Sequence, residues 1–334
     1  DLDPALPPDA KQVLDALESL ASTEPELGIR SGTLLAPRLR DARQRAARDE
    51  SASGQRSVLR IVGRGSLDRL KLVREPRRAP GRGEVEIAVQ AAGLNFRDVM
   101  NALGMYPGDP GPLGSECAGV VTAVGPGVNG FSVGDEVVAL AIESFATHVT
   151  VDAALVVRKP LSLSSCDAVT LPNAYLTSAY SLLTIARVQP GQCVLIHAAT
   201  GGVGLAALRL ARRAGARVIG TASTPEKRAL LRDEGAIAAY DSRSASFADE
   251  VLRVTRGEGV DIVLNALSGE LIEAGFRALR PGGCFIEIGK KDIWSRDETA
   301  RRFPAIRYEV VDLGAAIQQD IEAIRAAFEE VVSA

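Results

Sequence analysis

The sequence predicts a two-domain α/β protein in which an all-β lobe precedes a doubly wound parallel sheet. The first observation is length, because 334 residues exceed the roughly 250 to 300 residues that one hydrophobic core usually supports. The second is a series of short β segments, broken by glycine, from about residue 55 to residue 171. The third is a regular alternation of strand and helix patterns after Pro172, which is typical of a parallel sheet.

These patterns divide the chain into four segments. Residues 1–54 are expected to be a linker or structural piece, with a helical pattern over 13–20, a strand-like stretch over 29–39 and an Arg-rich run over 38–48. The β lobe is assigned to 55–172, the parallel-sheet domain to 173–314 and a return helix to 315–334. The strands predicted in the β lobe cover residues 58–62, 84–92, 119–124, 136–141 and 146–151.

Composition excludes several classes of partner. The formal net charge of −3 at pH 7 provides no field that would attract nucleic acid or an anionic membrane. The longest apolar stretches have the length of strands, and no cationic leader precedes one, so neither a membrane span nor secretion is expected. The cysteines stand far apart without paired spacing, and we interpret them as buried thiols of a cytoplasmic protein. They are Cys117, Cys166, Cys193 and Cys284.

The second domain alternates strand and helix patterns in sequence order. Predicted strands cover residues 193–198, 217–221, 261–265, 283–288 and 308–311, and predicted helices cover 174–186, 203–214, 225–234 and 271–279. Because each strand is followed by a helix that returns the chain, the strands should run parallel with helices on both faces.

A glycine-rich turn lies between the first of these strands and its helix. Glycines allow the chain to turn tightly and allow backbone N–H groups to approach a pyrophosphate at the positive end of a helix. A strand before the turn, a helix after it and a second strand at residue 217 together favour a dinucleotide site. The residues assigned to it are Thr200, Gly201, Gly202, Val203 and Gly204.

The end of the second strand predicts which dinucleotide binds. A site for NAD would place an Asp or Glu about 20 residues after the glycines, whereas this chain has hydroxyls followed by cations. Ser223 and Lys227 can hold a 2′-phosphate, which favours NADPH over NADH. The alternative is that Ser223 or Thr224 only caps the next helix, with Pro225 at its first position. His197, in the strand before the turn, is expected to be a packed residue and not a catalyst.

Five motifs together resemble the zinc-independent medium-chain dehydrogenase/reductases of the quinone oxidoreductase type, and most closely the enoyl reductase domains of polyketide and fatty acid synthases. They are residues 94–99 (LNFRDV), 103–108 (LGMYPG), 114–119 (GSECAG), 199–204 (ATGGVG) and 288–293 (IGKKDI). The resemblance covers about residues 55–312 and implies a Rossmann sheet for the nucleotide domain and a GroES-like β-barrel for the substrate domain.

The resemblance also bears on metals and on the two ends of the chain. Zinc-bearing relatives have a histidine where this chain has Ser115, followed by a loop with four cysteines, and both are absent, so no metal is expected. Residues 24–30 (EPELGIR) resemble the tail of the ketoreductase structural subdomain that precedes enoyl reductases in polyketide modules. Family members return to the β lobe after residues 321–331 with a further strand, so either the substrate domain is truncated at Ala334 or its remainder lies on another segment.

Three residues are the candidate catalytic groups. Lys290 follows the strand over 283–288, and Asp312 ends the next strand, so parallel pairing would place both at one cleft. They could pair and supply a proton, as the resemblance suggests, or form an ordinary surface ion pair. Tyr106 lies in a glycine-bounded loop of the β lobe. In the resembled enzymes a tyrosine here marks the class that gives the S configuration at an α-methyl carbon, although a packing role is the alternative.

The resemblance assigns further residues to the cofactor. Asn95 and Arg97 begin the loop that faces it, and Thr177 starts the helix leading into the nucleotide domain. Arg243, after the third short strand, is preferred to its neighbours for the 2′-phosphate because a phosphate needs charge. Asn265 and Leu267 end the fourth strand, where the backbone should pass the nicotinamide ribose.

The sequence therefore predicts an NADPH-dependent enoyl reductase that acts on a 2-enoyl thioester carried by an acyl carrier protein. A ketoreductase domain is the expected neighbour, and neither nucleic acid nor membrane is an expected partner. Two alternatives remain open: a free-standing quinone oxidoreductase or alkenal reductase, and an NADPH-binding module without activity.

Overall fold

The structure is a computed structural model that describes residues 28–30, 33–35 and 54–333. The chain divides into two compact units, Asp1–Gly54 and Gln55–Ala334. In the first unit, strands β1 (Gly28–Arg30) and β2 (Thr33–Leu35) pair antiparallel, with Gly28 opposite Leu35. Where it is described, the single strand predicted over 29–39 is thus a short hairpin. The helical pattern over 13–20 and the Arg-rich run over 38–48 lie outside the described residues.

Antiparallel strands build the β lobe of the second unit. Its strands are β3 (Gln55–Ile61), β4 (Leu70–Pro76), β5 (Glu84–Ala92), β6 (Glu116–Val124), β7 (Glu136–Leu140), β8 (His148–Asp152) and β9 (Val156–Arg158). One sheet has the order β8-β5-β6-β7-β9, and β3 pairs with β4. Its helices are α1 (Phe96–Ala102), α2 (Ser165–Ala168) and α3 (Pro172–Ala179). The sequence did not predict β4, because most of its residues are exposed on both faces, nor β9, which has three residues.

The nucleotide domain is a six-stranded parallel sheet. Its strands are β10 (Cys193–Ile196), β11 (Arg217–Ala222), β12 (Ala238–Asp241), β13 (Val260–Asn265), β14 (Leu279–Glu287) and β15 (Arg307–Val310). They are ordered β12-β11-β10-β13-β14-β15, which is the doubly wound order with its reversal between β10 and β13. Its helices are α4 (Gly202–Arg213), α5 (Pro225–Asp233), α6 (Phe247–Val254), α7 (Glu270–Arg277), α8 (Arg296–Arg302), α9 (Leu313–Gln319) and α10 (Ile321–Ser333). The predicted fold class is confirmed.

The core explains why the central strands are apolar throughout. In β10, Val194 and Ile196 pack into one buried cluster, while Cys193 and Leu195 pack into another on the opposite face of the sheet. A parallel strand that is covered on both faces carries apolar residues at every position, and it therefore lacks the alternating pattern of a half-exposed strand.

Three local features differ from the predictions. The helix predicted over 174–186 is α3 followed by a π-helical turn, Tyr180–Ile185. Helix α6 was not predicted, although Phe247, Ala248 and Val251 give it a buried face at helical spacing. Cys166 is exposed on the short helix α2, so its interpretation as a buried thiol is wrong, whereas the other three cysteines are buried.

The return helix is present as α10. Its residues Ile324 and Phe328 are buried in one cluster with Ala118 of β6 and Leu176 of α3. The chain thus comes back to pack against the β lobe after the last strand of the parallel sheet. Across the described residues, no helix combines the length and the apolar character needed to cross a membrane.

Candidate active site

The glycine-rich turn lies at the C-terminal end of β10, next to the reversal of strand order. Helix α4 begins with Gly201 as its cap, and no side chain caps its first turn. A Cβ at Gly204 would lie 2.5 Å from the Cα of Ala199, so only glycine allows the helix to approach the strand this closely. Ala198 has a φ of 47°, which shows that the turn holds a non-glycine residue in the left-handed region. The uncapped amides fit a diphosphate.

Thr177 lies beside this turn. Its neighbour on α3, Ser178, donates a hydrogen bond from Oγ to the carbonyl oxygen of Val203 at 2.9 Å. A Cβ at Gly202 would lie 3.7 Å from Cβ of Ala174, one turn earlier on α3. Helix α3 is therefore fixed against the first turn of α4, which places the half-buried Thr177 near the uncapped amides of that turn.

The strand ends beyond this turn form the site predicted for the 2′-phosphate. Ala222 pairs with Asp241, and the amide of Ser242 donates to the carbonyl oxygen of Ala222 at 3.3 Å, so the ends of β11 and β12 are adjacent. The cap of α5 is Thr224, whose Oγ1 accepts from the amide of Lys227. The hydroxyl of Ser223 lies outside this cap. The side chains of Lys227 and Arg243 are exposed.

Arg228 is a cation of this region that the sequence reasoning missed. Its Nη1 donates to the carbonyl oxygen of Ala222 at 3.0 Å and lies 3.6 Å from Oδ2 of Asp241. The guanidinium therefore crosses the end of β11. Its position four residues after Thr224 could have indicated this contact. Residues spaced by four share one face of a helix, and this face of α5 points back to the end of β11.

Lys290 and Asp312 form an ion pair at the ends of β14 and β15. The Nζ of Lys290 lies 2.7 Å from Oδ2 of Asp312, while Oδ1 of Asp312 accepts from the amide of Ala315 and caps α9. Partial burial opposes ionisation of Asp312, but the hydrogen bonds from Lys290 and Ala315 outweigh it and hold its pKa below the usual value. The geometric prediction that the two residues meet agrees with the structure, and their catalytic role stays a prediction.

Asn265 is buried, and its side chain connects two loops. Its Nδ2 donates to the carbonyl oxygen of Leu267 at 2.9 Å and to Oε2 of Glu287 at 2.7 Å. Its Oδ1 accepts from the amide of Leu267. Asn265 thus shapes the loop after β13 instead of pointing freely at a ligand. The sequence reasoning did not single out Glu287, although a carboxylate within an otherwise apolar strand was a visible signal.

The barrel side of the cleft contains a second buried glutamate. Glu116 accepts from Nδ2 of Asn95 at 2.6 Å and from the amide of Asn173 at 2.8 Å. The Nδ2 of Asn173 also donates to Oγ of Ser115 at 3.0 Å. Burial is the largest influence on Glu116 and raises its pKa above the usual value, against these hydrogen bonds. This cluster joins the barrel to α3, and the amide of Asn95 is already used within it.

Tyr106 lies in a loop that is held from α1. Asp98 accepts from the amide of Gly114, and the guanidinium of Arg97 donates to the carbonyl oxygen of Pro110. The Nη1 of Arg97 is buried without a hydrogen-bond partner among the described residues. Arg97 therefore holds the loop through its hydrogen bond to the carbonyl oxygen of Pro110. Tyr106 is half-buried, and within residues 54–333 no hydrogen bond joins it to Lys290 or Asp312.

His197 is packed, as predicted. It is buried, its Nδ1 lies 3.0 Å from Oγ1 of Thr221, and its ring meets Phe247 edge to face. Burial lowers its pKa to about 3, which keeps the ring neutral. Among the described residues, no group of three or more His, Cys, Asp or Glu side chains could hold a metal ion.

The fold and this site define an oxidoreductase in which a β lobe precedes a doubly wound parallel sheet. Residues 202–333 match the family described as zinc-binding dehydrogenase, and residues 81–160 match the alcohol dehydrogenase GroES-like domain. The crystal structure of CurK enoyl reductase is similar, with 40% identity, a TM-score of 0.80 and coverage of 83% of this chain and 87% of that chain. The chain belongs to the enoyl reductase domains of polyketide synthases, within the medium-chain dehydrogenase/reductases.

Two further comparisons concern the wider protein and the cofactor. A Mycobacterium marinum protein, phenolphthiocerol synthesis polyketide synthase type I Pks15/1, is 41% identical over 97% of this chain and 16% of its own length. The chain spans only 12 to 19% of the length of the curated polyketide synthase relatives that it matches. Mycobacterial Rv1454c, solved in complex with NADPH, is 31% identical with a TM-score of 0.76, covering 83% of this chain and 87% of that chain.

Proposed function

We propose that this chain reduces the 2,3-double bond of a 2-enoyl thioester with NADPH, adding hydride to the β-carbon and a proton to the α-carbon. The observation that carries the proposal is the ion pair between Lys290 and Asp312. It lies at the C-terminal ends of β14 and β15, on the sheet edge where the glycine-rich turn follows β10. A dinucleotide on that edge would present its nicotinamide near a held ammonium group.

The cofactor assignment rests on charge at the ends of β11 and β12. Ser223, Lys227, Arg228 and Arg243 follow the ends of β11 and β12, and we assign them to the 2′-phosphate because no acidic residue ends β11, while Asp241 at the end of β12 is paired with Arg228. The amides of residues 202–204 would hold the diphosphate, with Thr200 and Thr177 beside them. When bound, NADPH supplies the hydride. The solved complex of Rv1454c with NADPH supports this choice of cofactor.

The residues of the chain supply what hydride addition requires. An enoyl thioester that accepts hydride develops negative charge at its carbonyl oxygen and needs a proton at the α-carbon. Lys290 is oriented by Asp312, so its ammonium can stabilise that charge and donate a proton from a fixed direction. Tyr106 is the second proton donor, and we propose that it selects the face that gives the S configuration with an α-methyl substrate. No metal takes part in this proposal.

The proposed partners follow from the relatives. Their names are those of large polyketide synthases, in which a domain of this size has neighbours in the same chain. We propose that the substrate arrives on an acyl carrier protein, that a ketoreductase domain is the neighbour, and that the protein works in the cytoplasm.

Oxidation of the nicotinamide cofactor by the full chain tests the proposal. NADPH and NADH are each offered with a crotonyl pantetheine thioester and, separately, with a quinone. Turnover of the thioester with NADPH, and much less with NADH, supports the proposal. Turnover of the quinone alone would replace it with the quinone oxidoreductase alternative, and NADPH binding without turnover of either substrate would replace it with the inactive module.

A further inference from the structure

Glu287 is a buried carboxylate at the C-terminal end of β14. Its side chain has no exposed surface, and burial, against the hydrogen bonds that it accepts, raises its pKa to about 7. Burying a carboxylate costs free energy unless its oxygens find donors. Both oxygens do: Oε2 accepts from Nδ2 of Asn265 at 2.7 Å, and Oε1 accepts from the amide of Gly289 at 2.6 Å.

These two hydrogen bonds join the loops that follow β13 and β14. Asn265 stands opposite Glu287 in the parallel register, and its amide forms two hydrogen bonds with the backbone of Leu267. Gly289 immediately precedes Lys290. The carboxylate of Glu287 therefore connects the backbone at Leu267, on one side, with the residue that carries the ammonium group, on the other.

A neutral amide cannot replace this carboxylate without losing a hydrogen bond. Both partners of Glu287 are N–H donors, so a glutamine would turn its own NH₂ toward one of them. Asn265 cannot compensate by flipping its amide, because its Oδ1 already accepts from the amide of Leu267 and its Nδ2 donates to the carbonyl oxygen of Leu267. A Cβ at Gly289 would lie 2.6 Å from Oε1 of Glu287, so the glycine leaves the space that the carboxylate occupies.

We propose that Glu287 is a positioning residue, which fixes the spacing between the nicotinamide-facing backbone at Leu267 and the ammonium group of Lys290. This inference rests on the proposed function, because it assigns Leu267 and Lys290 to the same reaction. Glu287 touches neither substrate nor cofactor and acts through Asn265 and Gly289. The charge that faces it is that of Lys290, and Tyr308 on β15 is the other titratable side chain with which it interacts.

The positioning role needs the ionised carboxylate, which gives the reaction a pH dependence. Protonation would turn one oxygen of Glu287 into an O–H donor that faces an N–H donor. Since its pKa is about 7, the loop contacts weaken as the pH falls through neutrality. The rate of the proposed reaction should therefore fall on the acidic side, even though a proton-donating mechanism alone loses rate on the alkaline side.

The test compares E287Q with the wild-type full chain and with E86Q. Glu86 is another buried carboxylate, in the barrel and paired with Arg77, and serves as the matched control. Reduction of crotonyl pantetheine thioester is followed at saturating NADPH from about pH 5.5 to pH 8.5, and NADPH affinity is measured by fluorescence. We expect kcat at pH 8 to fall about tenfold in E287Q, as for one lost hydrogen bond, with NADPH affinity within about threefold.

The pH profile separates positioning from simple structural support. The wild type and E86Q should lose rate below about pH 7, and E287Q should lack this acidic limb. An unchanged kcat, an acidic limb that persists in E287Q, or equal losses in kcat and NADPH affinity would overturn the proposal.

Amide hydrogen exchange distinguishes this inference from the proposed function. If the wild type does not reduce the thioester, the proposed function fails, and exchange at Leu267 and Gly289 then decides the role of Glu287. Faster exchange at both amides in E287Q, with wild-type exchange in E86Q, supports the connection between the two loops. Equal exchange in all three proteins refutes it.

Discussion

The two sides of the cleft are built in different ways. On the nucleotide side, the candidate residues follow the ends of neighbouring parallel strands, so the sheet register brings together the segments that carry Lys290 and Asp312, whose charged groups lie 2.7 Å apart. On the barrel side, Tyr106 lies in a loop between strands, and the loop is held by Arg97 and Asp98 through contacts with Pro110 and Gly114. The nucleotide side is ordered mainly by the regular sheet, and the barrel loop by individual hydrogen bonds.

This difference predicts where mutations act. A change on the nucleotide side removes one group from a frame that the sheet keeps in place, so its effect should be chemical and large. A change in the barrel loop alters a surface whose conformation depends on a few contacts. Its effect should therefore appear in the configuration of the product more than in the rate.

Loss of the Lys290 ammonium should give the largest effect. K290M keeps the length and the apolar stem of the side chain but removes the charge that stabilises the developing enolate. We expect kcat for thioester reduction to fall by about 100-fold, as for the loss of one group that stabilises developing negative charge. K291M is the matched control, because Lys291 is the exposed neighbour in the same loop. Equal losses in the two variants would contradict the assignment.

Loss of the cations proposed to bind the 2′-phosphate should give the next largest effect. The double variant K227A/R228A removes two charges from the site proposed for the 2′-phosphate, where exposed ion pairs contribute up to about 1 kcal/mol each. We expect the NADPH Kd to rise about 30-fold and the NADH Kd to change little. R301A, which removes an exposed arginine from α8, is the control. Equal weakening of both cofactors would show that these residues do not recognise the phosphate.

Residues at strand ends could be predicted from the sequence, whereas residues whose partners depend on packing could not. The strand ends that carry Lys290, Asp312 and Ser223 could be found from sequence, because periodicity and glycine placement locate the ends of parallel strands. Glu116, Glu287 and Arg228 could not be placed, since their partners depend on which elements pack together. Glu116, for example, binds Asn173, which lies 57 residues later in the chain.

Burial of side chains also decides which strands could be predicted from the sequence. The buried strands β10 and β13 have strong apolar runs, and the sequence located both within one or two residues. Strand β4 is exposed along most of its length and pairs with β3 by backbone hydrogen bonds, which carry no side-chain signal. Arg97 and Asn95 were expected to face the cofactor, yet their polar groups hold Pro110 and Glu116.

Breaking the ion pair without removing the helix cap should give an intermediate effect. D312N keeps an oxygen that can accept from the amide of Ala315, and asparagine is a good N-cap, so α9 should stay intact. Its NH₂ would face the ammonium of Lys290, which then loses its fixed direction. We expect kcat to fall about tenfold with only a small fall in unfolding temperature at neutral pH. A large loss of stability would show that the pair is structural.

The pKa of Asp312 gives this prediction a pH dependence. Because the folded protein lowers that pKa, the ionised carboxylate adds stability above its usual pKa, and this stability is lost as the pH falls through the folded value. D312N should lack that contribution. The difference in unfolding temperature between the wild type and D312N should therefore shrink as the pH is lowered below the usual pKa of an aspartate, about 3.9, because the neutral acid and the amide then resemble each other.

Tyr106 should show the smallest effect on rate and the clearest effect on product. Its loop is held by Arg97 and Asp98 whatever side chain residue 106 carries, so Y106F should keep the loop conformation and lower kcat only about threefold, because Lys290 can then donate the proton. Both Y106F and Y106V remove the proton donor of the barrel side, which leaves protonation to the opposite face. With an α-methyl enoyl thioester, we expect the product to change from the S to the R configuration.

The configuration of the product shows directly which side of the cleft donates the proton. If protonation comes from the barrel side in the wild type, K290M should slow the reaction without changing the configuration, whereas Y106V should change the configuration with little loss of rate. Chiral analysis of the α-methyl product from both variants decides this. An S product from Y106V at the wild-type rate would assign both roles to the nucleotide side, and the tyrosine would then be a packing residue of its loop.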